Sequence, residues 1–237
     1  MNDAATAATP GTLPEQQVRA MFDRIAGVYD LMNSVMTAGL HHEWRERAAD
    51  LADVGPGASV LDVATGTGDL AVVMERRVGP SGRVVGSDFS EGMLELARRK
   101  SDTIEFELGN ALGLPYSDDD FDAATVGFGA RNFSDLRAGL AEMARVVRPG
   151  GRVVVLDFTT PTRPPLSWFF NLWFDRIVPL LGRVLPGGRA YAYLPASVRR
   201  FPGAEELVAV LERTGFEQVR FRLLGGSIVA LHTAHAR

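Results

Sequence analysis

Hydrophobic and polar positions follow two alternating patterns from Ser59 onward. Short runs rich in valine and other apolar residues predict buried strands, and longer runs whose apolar residues recur every three or four positions predict amphipathic helices. The predicted strands lie at 59–66, 82–89, 103–110, 121–129 and 151–158, and the predicted helices at 69–78, 90–100 and 134–147. This alternation is typical of a doubly wound, Rossmann-like α/β fold, in which right-handed crossovers connect a parallel sheet.

The two ends of the chain depart from this alternation. Residues 204–216 predict an amphipathic helix, and residues 217–235 predict two strands joined at Gly225-Gly226, because paired glycines favour a tight hairpin turn. An antiparallel hairpin therefore completes the predicted sheet. Two further helices are predicted before the first strand, near 15–27 and 41–54.

Length and composition fit one domain. With 237 residues, of which 46% are hydrophobic and 23% charged, the chain can bury a sizeable core. We expect a single domain over 15–237, with a helical lid insertion at about 162–203, and a disordered tail over the polar residues 1–14.

Charge and residue usage argue against several kinds of site. The net charge of −4 and the scattered Lys and Arg residues argue against a nucleic-acid partner, which needs a basic patch. The absence of cysteine excludes disulfides and thiolate nucleophiles, and four histidines without a His-Glu-x-x-His pattern give no support to a metal site. There is neither a signal-peptide pattern nor an uncharged apolar window of about 18 residues, so we expect a cytoplasmic protein.

The sequence VLDVATGTGD is the sharpest local signal of a ligand site. Gly66 and Gly68 follow the first predicted strand and open a helix, so the backbone can approach a ligand that the free N–H groups of the helix N-terminus face. Asp88 ends the next strand, where a carboxylate can accept hydrogen bonds from a ribose diol. A tight turn without a ligand is the plainer alternative, and Asp88 makes it the weaker one.

The identity of the nucleotide is open at this point. The pattern Gly66-x-Gly68-x-x-Ala71 also satisfies a dinucleotide fingerprint. Asp62 precedes the glycines, and a carboxylate there suits a cationic, amine-bearing ligand better than a pyrophosphate. Asn110 ends the third strand, and its amide offers a donor and an acceptor to an adenine edge.

Four segments resemble the motifs of class I S-adenosylmethionine-dependent methyltransferases, over about residues 59–160. They are VLDVATGTGD, GSDFS, GNALGLPYSDDDFD and RPGGRVVVLDF. The resemblance implies a seven-stranded sheet with an antiparallel last strand, in agreement with the hairpin, and S-adenosylmethionine as the cofactor. Ala64 is a departure, since many family members have glycine there; because alanine is small, we expect no loss of binding.

Three other segments resemble the quinone-biosynthesis C-methyltransferases within that class. They are FDRIAGVYDLMNSVMTAGLHHEWR (22–45), FGARNFSD (128–135) and YLPASVRRFPGAEEL (193–207). These enzymes methylate the ring of demethylmenaquinol or its relative in ubiquinone synthesis, and the overall resemblance favours the naphthoquinol. In that family, residues matching Thr67, Asp88, Asn110 and Ala111 contact the cofactor. The full predicted cofactor set is Asp62, Thr65, Gly66, Thr67, Gly68, Asp88, Phe89, Asn110 and Ala111.

The segment WFFNLWF (168–174) holds five aromatic residues in seven positions. A polyprenyl quinol is nearly insoluble in water, and burial is worth about 0.8 kcal/mol per CH₂ group. The surrounding residues 165–185 place apolar side chains at helical spacing, which predicts a lid over an apolar groove, a surface that touches the bilayer, or an ordinary core helix. Charged residues and a proline interrupt this segment and argue against a membrane span. The predicted quinol contacts are Trp168, Trp173, Tyr191, Tyr193 and Arg199.

Methylation of a ring carbon requires a quinol hydroxyl to lose its proton, while the cofactor supplies the electrophilic methyl group. Arg131 and Asn132 follow the fourth strand at the carboxyl edge of the sheet, and Arg131 is a candidate to stabilise the phenolate. Tyr29 lies in an N-terminal segment that could cover the site, and His41 is a candidate general base. Each has a plainer alternative, such as a solvated arginine, a turn residue or a surface histidine.

Other functions stay open beside this one. An NAD-dependent oxidoreductase is opposed by Asp62 and by the lack of a Tyr-x-x-x-Lys pair, and a non-enzymatic binder of lipid or protein is opposed by the intact glycine loop. A sterol or other small-molecule C-methyltransferase differs only in substrate. The expected partner is a polyprenylated quinol, met at the inner face of the membrane, and a homodimer is an open alternative to a monomer.

Overall fold

The computed structural model describes residues 14–178, 180 and 188–237, and their strands form a seven-stranded sheet. In chain order the strands are β1 (Ser59–Val63), β2 (Arg83–Asp88), β3 (Glu105–Leu108), β4 (Phe121–Gly127), β5 (Val147–Phe158), β6 (Phe216–Leu224) and β7 (Val229–Ala236). Their order across the sheet is β3-β2-β1-β4-β5-β7-β6. The first five strands pair in parallel, and β7 runs antiparallel to both of its neighbours. The predicted doubly wound sheet with an antiparallel last strand is confirmed.

Helices flank this sheet on both faces. They are α1 (Glu15–Thr37), α2 (Leu40–Ala52), α3 (Asp69–Val78), α4 (Glu91–Ala97), α5 (Leu136–Val146), α6 (Leu166–Leu172), α7 (Gly188–Arg200) and α8 (Ala204–Glu212). A 3₁₀ turn, Ala130–Asn132, follows β4, and a π-helical turn, Trp173–Ile177, follows α6. Ser90 is the N-cap of α4, because its hydroxyl accepts a hydrogen bond from the backbone N–H of Met93 at 3.3 Å.

Two hydrophobic cores lie on opposite faces of the sheet. Val60 and Leu61, which are neighbours in β1, are fully buried in different cores, and Val154 and Val155 of β5 divide in the same way. Helices α2 and α3 cover one face, whereas α5 and α8 cover the other. Because successive strand side chains point to opposite faces, a sheet covered on both faces gives the continuous apolar runs seen in the sequence.

The first helix is longer than the predicted 15–27. It continues through Gly27 to Thr37, because Met32 and Thr37 on its second half are buried. Met32 belongs to a third apolar cluster, in which α1 packs against Met93 of α4 and against Val178 and Tyr193. This packing holds α1 across the carboxyl edge of the sheet.

The connection between α5 and β5 also differs from the prediction. The helix ends at Val146 and the strand begins at Val147, before the sequence RPGG. Pairing with β4 then jumps from Val147 to Arg152 while the partner strand advances only from Phe121 to Ala123. The proline and glycines therefore lie in a bulge inside β5, where a residue without an N–H is tolerated.

The predicted hairpin is confirmed, since a short turn, Gly225–Ser227, joins β6 to β7. Gly225 has a φ of +54°, and a Cβ atom there would meet the Trp44 ring at 2.7 Å. Both the backbone conformation and the lack of space therefore require glycine at this position.

The aromatic segment packs with one side and exposes the other. Phe170, Phe174 and Val178 are buried, and the rings of Phe170 and Phe174 stack with their centroids 4.2 Å apart. Trp168 and Leu172 face solvent, with exposed fractions of 70% and 52%. The core-helix alternative therefore describes one side of the segment, and residues 181–185 of the predicted segment lie outside the described part of the chain. None of the described helices is long and apolar enough to cross a membrane.

Replacing Phe174 by alanine should lower the free energy of unfolding by about 3–5 kcal/mol, because the truncation leaves a cavity between Phe158 and Phe170. Leu172→Ala, a truncation at an exposed position two residues away, should change it by less than about 0.5 kcal/mol. Urea denaturation measures both values. Equal losses in the two variants would contradict the assignment of the packed side.

Candidate active site

The carboxyl ends of β1 to β4 surround a cavity of about 830 Å³, part of which is open to solvent. Helix α1 covers it with Glu15, Phe22 and Tyr29, which lie seven residues apart on one side of the helix. Eight of the nine predicted cofactor residues line the cavity: Asp62, Thr65, Gly66, Thr67, Asp88, Phe89, Asn110 and Ala111. The ninth, Gly68, lies just behind the loop, at the N-cap of α3.

The loop after β1 owes its shape to left-handed backbone conformations. Gly66 and Gly68 have φ values of +58° and +81°, and a Cβ atom on Gly68 would meet Phe106 at 3.0 Å. Ala64 also has a positive φ, +51°, which costs a residue with a side chain roughly 1–2 kcal/mol. Across the loop, a Cβ atom added to Gly129 would lie 2.6 Å from the Cβ atom of Ala64.

Asp62 is fully buried beneath this loop. Its two carboxylate oxygens accept hydrogen bonds from the hydroxyls of Thr65 and Thr125, each at 2.6 Å. Burial raises the pKa of Asp62 to about 6, although both hydroxyl contacts act in the opposite direction. The carboxylate therefore holds the loop in place and carries negative charge into the cavity at neutral pH.

Asp88 joins the loops that follow β1 and β2. It accepts hydrogen bonds from the backbone N–H groups of Gly66 at 2.8 Å and Ser90 at 2.9 Å. Burial raises the pKa of Asp88 to about 6, against the effect of these backbone donors. A carboxylate has about four acceptor positions, so these two contacts leave it able to accept from a ligand as well.

Three carboxylates of α1 bind the loops around the cavity. Glu15 accepts hydrogen bonds from the Asn110 amide at 2.8 Å and the Ser134 hydroxyl at 3.0 Å. Asp23 accepts from the Ser90 hydroxyl at 2.5 Å. Asp30 accepts from the Thr67 hydroxyl at 2.6 Å and pairs with Lys100 at 2.7 Å. The helix is thus tied to the loops after β1, β2, β3 and β4.

The structure separates the predicted catalytic residues. Tyr29 and Asn132 line the cavity, and the Asn132 amide oxygen accepts a hydrogen bond from the Tyr193 hydroxyl at 3.2 Å. Arg131 is buried beside the cavity rather than in its lining. Its guanidinium pairs with Asp157 at 2.7 Å, with a centre 5.3 Å from the Phe158 ring centroid. The plainer alternative, a solvated loop arginine, is therefore not what the structure contains, whereas the role of Arg131 toward the phenolate stays a prediction.

His41 is buried away from the cavity, between Ser34 and Arg45. Its Nδ1 atom contacts the Arg45 guanidinium and must accept that hydrogen bond, since a guanidinium only donates. Burial and the charge of Arg45 lower the pKa of His41 to about 4. Because its basic nitrogen is occupied, the general-base role of His41 stays a prediction that this geometry does not favour.

The predicted quinol contacts lie outside the cavity lining, among the described side chains. Trp168 is exposed, Trp173 packs between the core and α1, and Arg199 pairs with Asp175 at the surface. Tyr193 is buried and reaches the cavity only through Asn132. The side chain of Tyr191 lies outside the described part of the structure.

Arg45 is a cavity residue that the sequence analysis missed. It lies on the buried side of α2 together with His41, Trp44, Ala48 and Ala49. The available signal was an arginine on the mainly apolar side of the helix, because arginine is rarely buried unless its guanidinium has a polar or charged partner.

Solved structures of similar architecture cover most of the chain. An S-adenosylmethionine-dependent methyltransferase from Aquifex aeolicus has a TM-score of 0.63 at 18% identity and covers 95% of this chain and 100% of its own. The [4+2]-cyclase SpnF has a TM-score of 0.70 at 20% identity, with 95% and 97% covered. Because one neighbour is a cyclase, this likeness establishes the fold and not the reaction.

Sequence relatives are much closer. A profile of the ubiE/COQ5 methyltransferase family matches residues 11–236. The ubiquinone/menaquinone biosynthesis C-methyltransferase UbiE of Hahella chejuensis is 41% identical, with 94% of this chain and 93% of the relative covered. The demethylmenaquinone methyltransferases of Thermus thermophilus and Deinococcus radiodurans are 43% and 44% identical, with 90% and 94% of this chain and 98% and 93% of the relatives covered. The chain belongs to the ubiE/COQ5 methyltransferase family.

Proposed function

We propose that the protein catalyses the S-adenosylmethionine-dependent C-methylation of demethylmenaquinol to menaquinol. The observation that carries this proposal is that the glycine loop, Asp88 and Asn110 all line one cavity at the carboxyl edge of the sheet, the place where this type of fold binds its ligands. Two relatives above 40% identity are named demethylmenaquinone methyltransferase. A ubiquinone-precursor quinol is the second candidate, because the Hahella relative is named for both quinones.

The order of the loops along the sheet edge supports one orientation of the donor. Asn110 and Ala111 follow β3 and would hold the adenine, and Asp88 at the end of β2 would accept from the ribose hydroxyls. Thr67 lies in the loop after β1, so the methionine part would continue toward the end of β4. The methyl group would then lie near Tyr29 and Asn132, where both side chains line the cavity.

The charge of the cavity supports a cationic ligand. Asp62 and Asp88 are buried in its lining, and the raised pKa of each shows that burial opposes the ionised form. A sulfonium near Asp62 and Asp88 would favour the ionised form of both carboxyls. The pyrophosphate of a nicotinamide cofactor would instead place more negative charge close to two carboxylates. This difference favours S-adenosylmethionine over the oxidoreductase alternative.

The reaction needs a carbon nucleophile in the quinol ring. Loss of a hydroxyl proton gives a phenolate, whose neighbouring ring carbon takes the methyl group from the sulfonium and then loses its own proton to restore the aromatic ring. Arg131 is buried beside the cavity, where it pairs with Asp157, and a cation at this place favours a quinol phenolate. We assign the orientation of the ring to Tyr29 and Asn132, which line the cavity.

The exposed side of the aromatic segment supports contact with the lipid in which the quinol is dissolved. The exposed apolar residues in this segment and its surroundings are Leu166, Trp168, Leu172 and Leu180. The exposed Arg176 lies among them in the sequence. Tryptophan favours the membrane interface, and a neighbouring arginine suits anionic headgroups. The proposal therefore includes the location predicted from the sequence, at the cytoplasmic face of the membrane.

Incubation with S-adenosylmethionine and demethylmenaquinol under reducing conditions should give a product heavier by one CH₂ group, measured by mass spectrometry. The Asp88→Asn variant should bind the donor about 1–3 kcal/mol more weakly, because a charged acceptor is lost from a buried site. Asp102→Asn, at an exposed position on the loop before β3, is the matched control and should bind like the parent. Tight NAD binding with no response to S-adenosylmethionine would refute the proposed activity.

The pKa of Asp62 predicts a pH-dependent stability in the unliganded protein. A carboxyl whose pKa rises from its ordinary value near 4 to about 6 holds its proton more tightly when folded, so its contribution to stability falls as pH increases through this window. Relative to Asp62→Asn, the wild type should lose roughly 2 kcal/mol of unfolding free energy between pH 4 and pH 7. Denaturant titrations of both proteins across this range measure the difference, and a difference independent of pH would contradict the assignment.

Trp168→Ala combined with Leu172→Ala should reduce binding to vesicles that contain anionic lipid by about tenfold or more, because two large apolar side chains are lost from the exposed side of the segment. Leu108→Ala, an exposed leucine on β3 at the far edge of the sheet, should bind as the parent does. Co-sedimentation gives the bound fraction. Equal binding by all three proteins would refute the membrane-facing surface.

A further inference from the structure

Arg45 is 5% exposed and reaches the cavity from α2. Its guanidinium lies 5.7 Å from the centroid of the Phe128 ring, at the end of β4. Among the described residues that line the cavity, it is the sole lysine or arginine, beside the carboxylates of Asp62 and Asp88. A buried cation thus faces the same space as two buried acids.

The protein partners of Arg45 occupy only part of its guanidinium. Nη1 contacts both Nδ1 of His41 and, at 3.3 Å, a carboxylate oxygen of Asp69. Within the described part of the chain, no hydrogen bond is made by Nε or Nη2. Since a guanidinium has five N–H donors in a rigid plane, one edge of Arg45 is available for an oxygen pair.

The surrounding charges leave room for an anion beside Arg45. Asp69 is shared, because its other oxygen pairs with Lys100 at 2.6 Å, and Lys100 pairs in turn with Asp30. His41, the other neighbour, accepts the Arg45 hydrogen bond and is uncharged at neutral pH, with its Nε2 atom 3.2 Å from the Ser34 hydroxyl. Asp69 therefore balances the positive charge of Arg45 only in part, and Asp62, on which this charge also acts, accepts its hydrogen bonds from Thr65 and Thr125 instead.

We propose that Arg45 binds the α-carboxylate of the methionine part of S-adenosylmethionine through its Nε and Nη2 edge. This inference rests on the proposed function and on the donor orientation, which directs the methionine part past the β1 loop toward Phe128. The carboxylate is the donor's single anionic group, and Arg45 is the cation in the described lining of the cavity. In this orientation Asp62 lies on the side of the sulfonium and ammonium, Asp88 stays with the ribose hydroxyls, and Arg45 matches the carboxylate.

Decarboxylated S-adenosylmethionine, which keeps the sulfonium and amine, tests this contact in the wild-type protein. Calorimetric titration should show that it binds about 10- to 100-fold more weakly than S-adenosylmethionine, the effect expected for a charge-assisted pair. Equal affinities would overturn the inference while leaving the proposed function intact. A wild-type protein that binds neither compound would instead refute the proposed function.

Variants test whether Arg45 is the residue that causes this difference in affinity. In Arg45→Gln the affinity ratio of the two compounds should fall to about one, while binding of 5′-methylthioadenosine, which lacks the amino-acid part, should stay unchanged and report an intact site. Arg47→Gln, which loses an exposed ion pair with Glu43 on the same helix, should keep the wild-type ratio. A wild-type ratio in Arg45→Gln would overturn the inference.

Arg45→Lys covers the case in which the glutamine variant does not fold. Lysine keeps a positive charge for Asp69 but cannot offer two parallel N–H donors, so the ratio should drop at least severalfold from the wild-type value. A lysine variant with the wild-type ratio would refute the two-point contact.

Discussion

The contact between the Asp88 carboxylate and the backbone N–H of Gly66 joins two loops on which the whole site depends. The same carboxylate accepts from Ser90, which caps α4 and donates to Asp23 of α1. The β1 loop, the β2 loop and the covering helix therefore share one set of hydrogen bonds. Because Asp88 is buried, loss of these hydrogen bonds would leave a charge and several backbone donors without partners in a low-dielectric environment, so the set stabilises the arrangement of the three elements.

The charged residues of the cavity come from several elements. Helix α1 reaches the loops through Glu15, Asp23 and Asp30, so all three contacts are made by acids. Of these, Glu15 lines the cavity together with Asp62 and Asp88, and Arg45 is the opposing charge at the end nearest Phe128. A zwitterionic ligand with an additional positive centre fits this distribution better than a phosphate-bearing nucleotide does.

Much of the fold and of the cofactor loop could be predicted because the signals are local. Strand and helix periods, the Gly225-Gly226 hairpin and the glycines after β1 each act within a few residues of their own position. The contacts that complete the site join distant parts of the chain, as when Asp30 meets Thr67 or Glu15 meets Asn110. Periodicity carries no information on such pairs, so the extension of α1 was not predicted.

Two arginines and the aromatic segment show the same limit, because distant parts of the chain decide what each side chain packs against. Arg131 follows β4 as expected, but its burial against Asp157 depends on a neighbouring strand. Arg45 was not predicted as a site residue, because the cavity that it lines is formed by other elements of the fold. In the aromatic segment the helical spacing was visible, whereas the packed side depended on where Phe158 and α1 lie.

The close approach of Ala64 and Gly129 makes two positions of the sheet edge interdependent. Alanine at 64 tolerates an unfavourable φ and fills the gap opposite, so position 129 has no space for a side chain. Glycine at 64 would relieve the backbone and would also remove the closest of the contacts that a side chain at position 129 would make. Divergence at these sites is therefore expected to be compensatory: the two positions should covary, each accepting a methyl group only when the other lacks one.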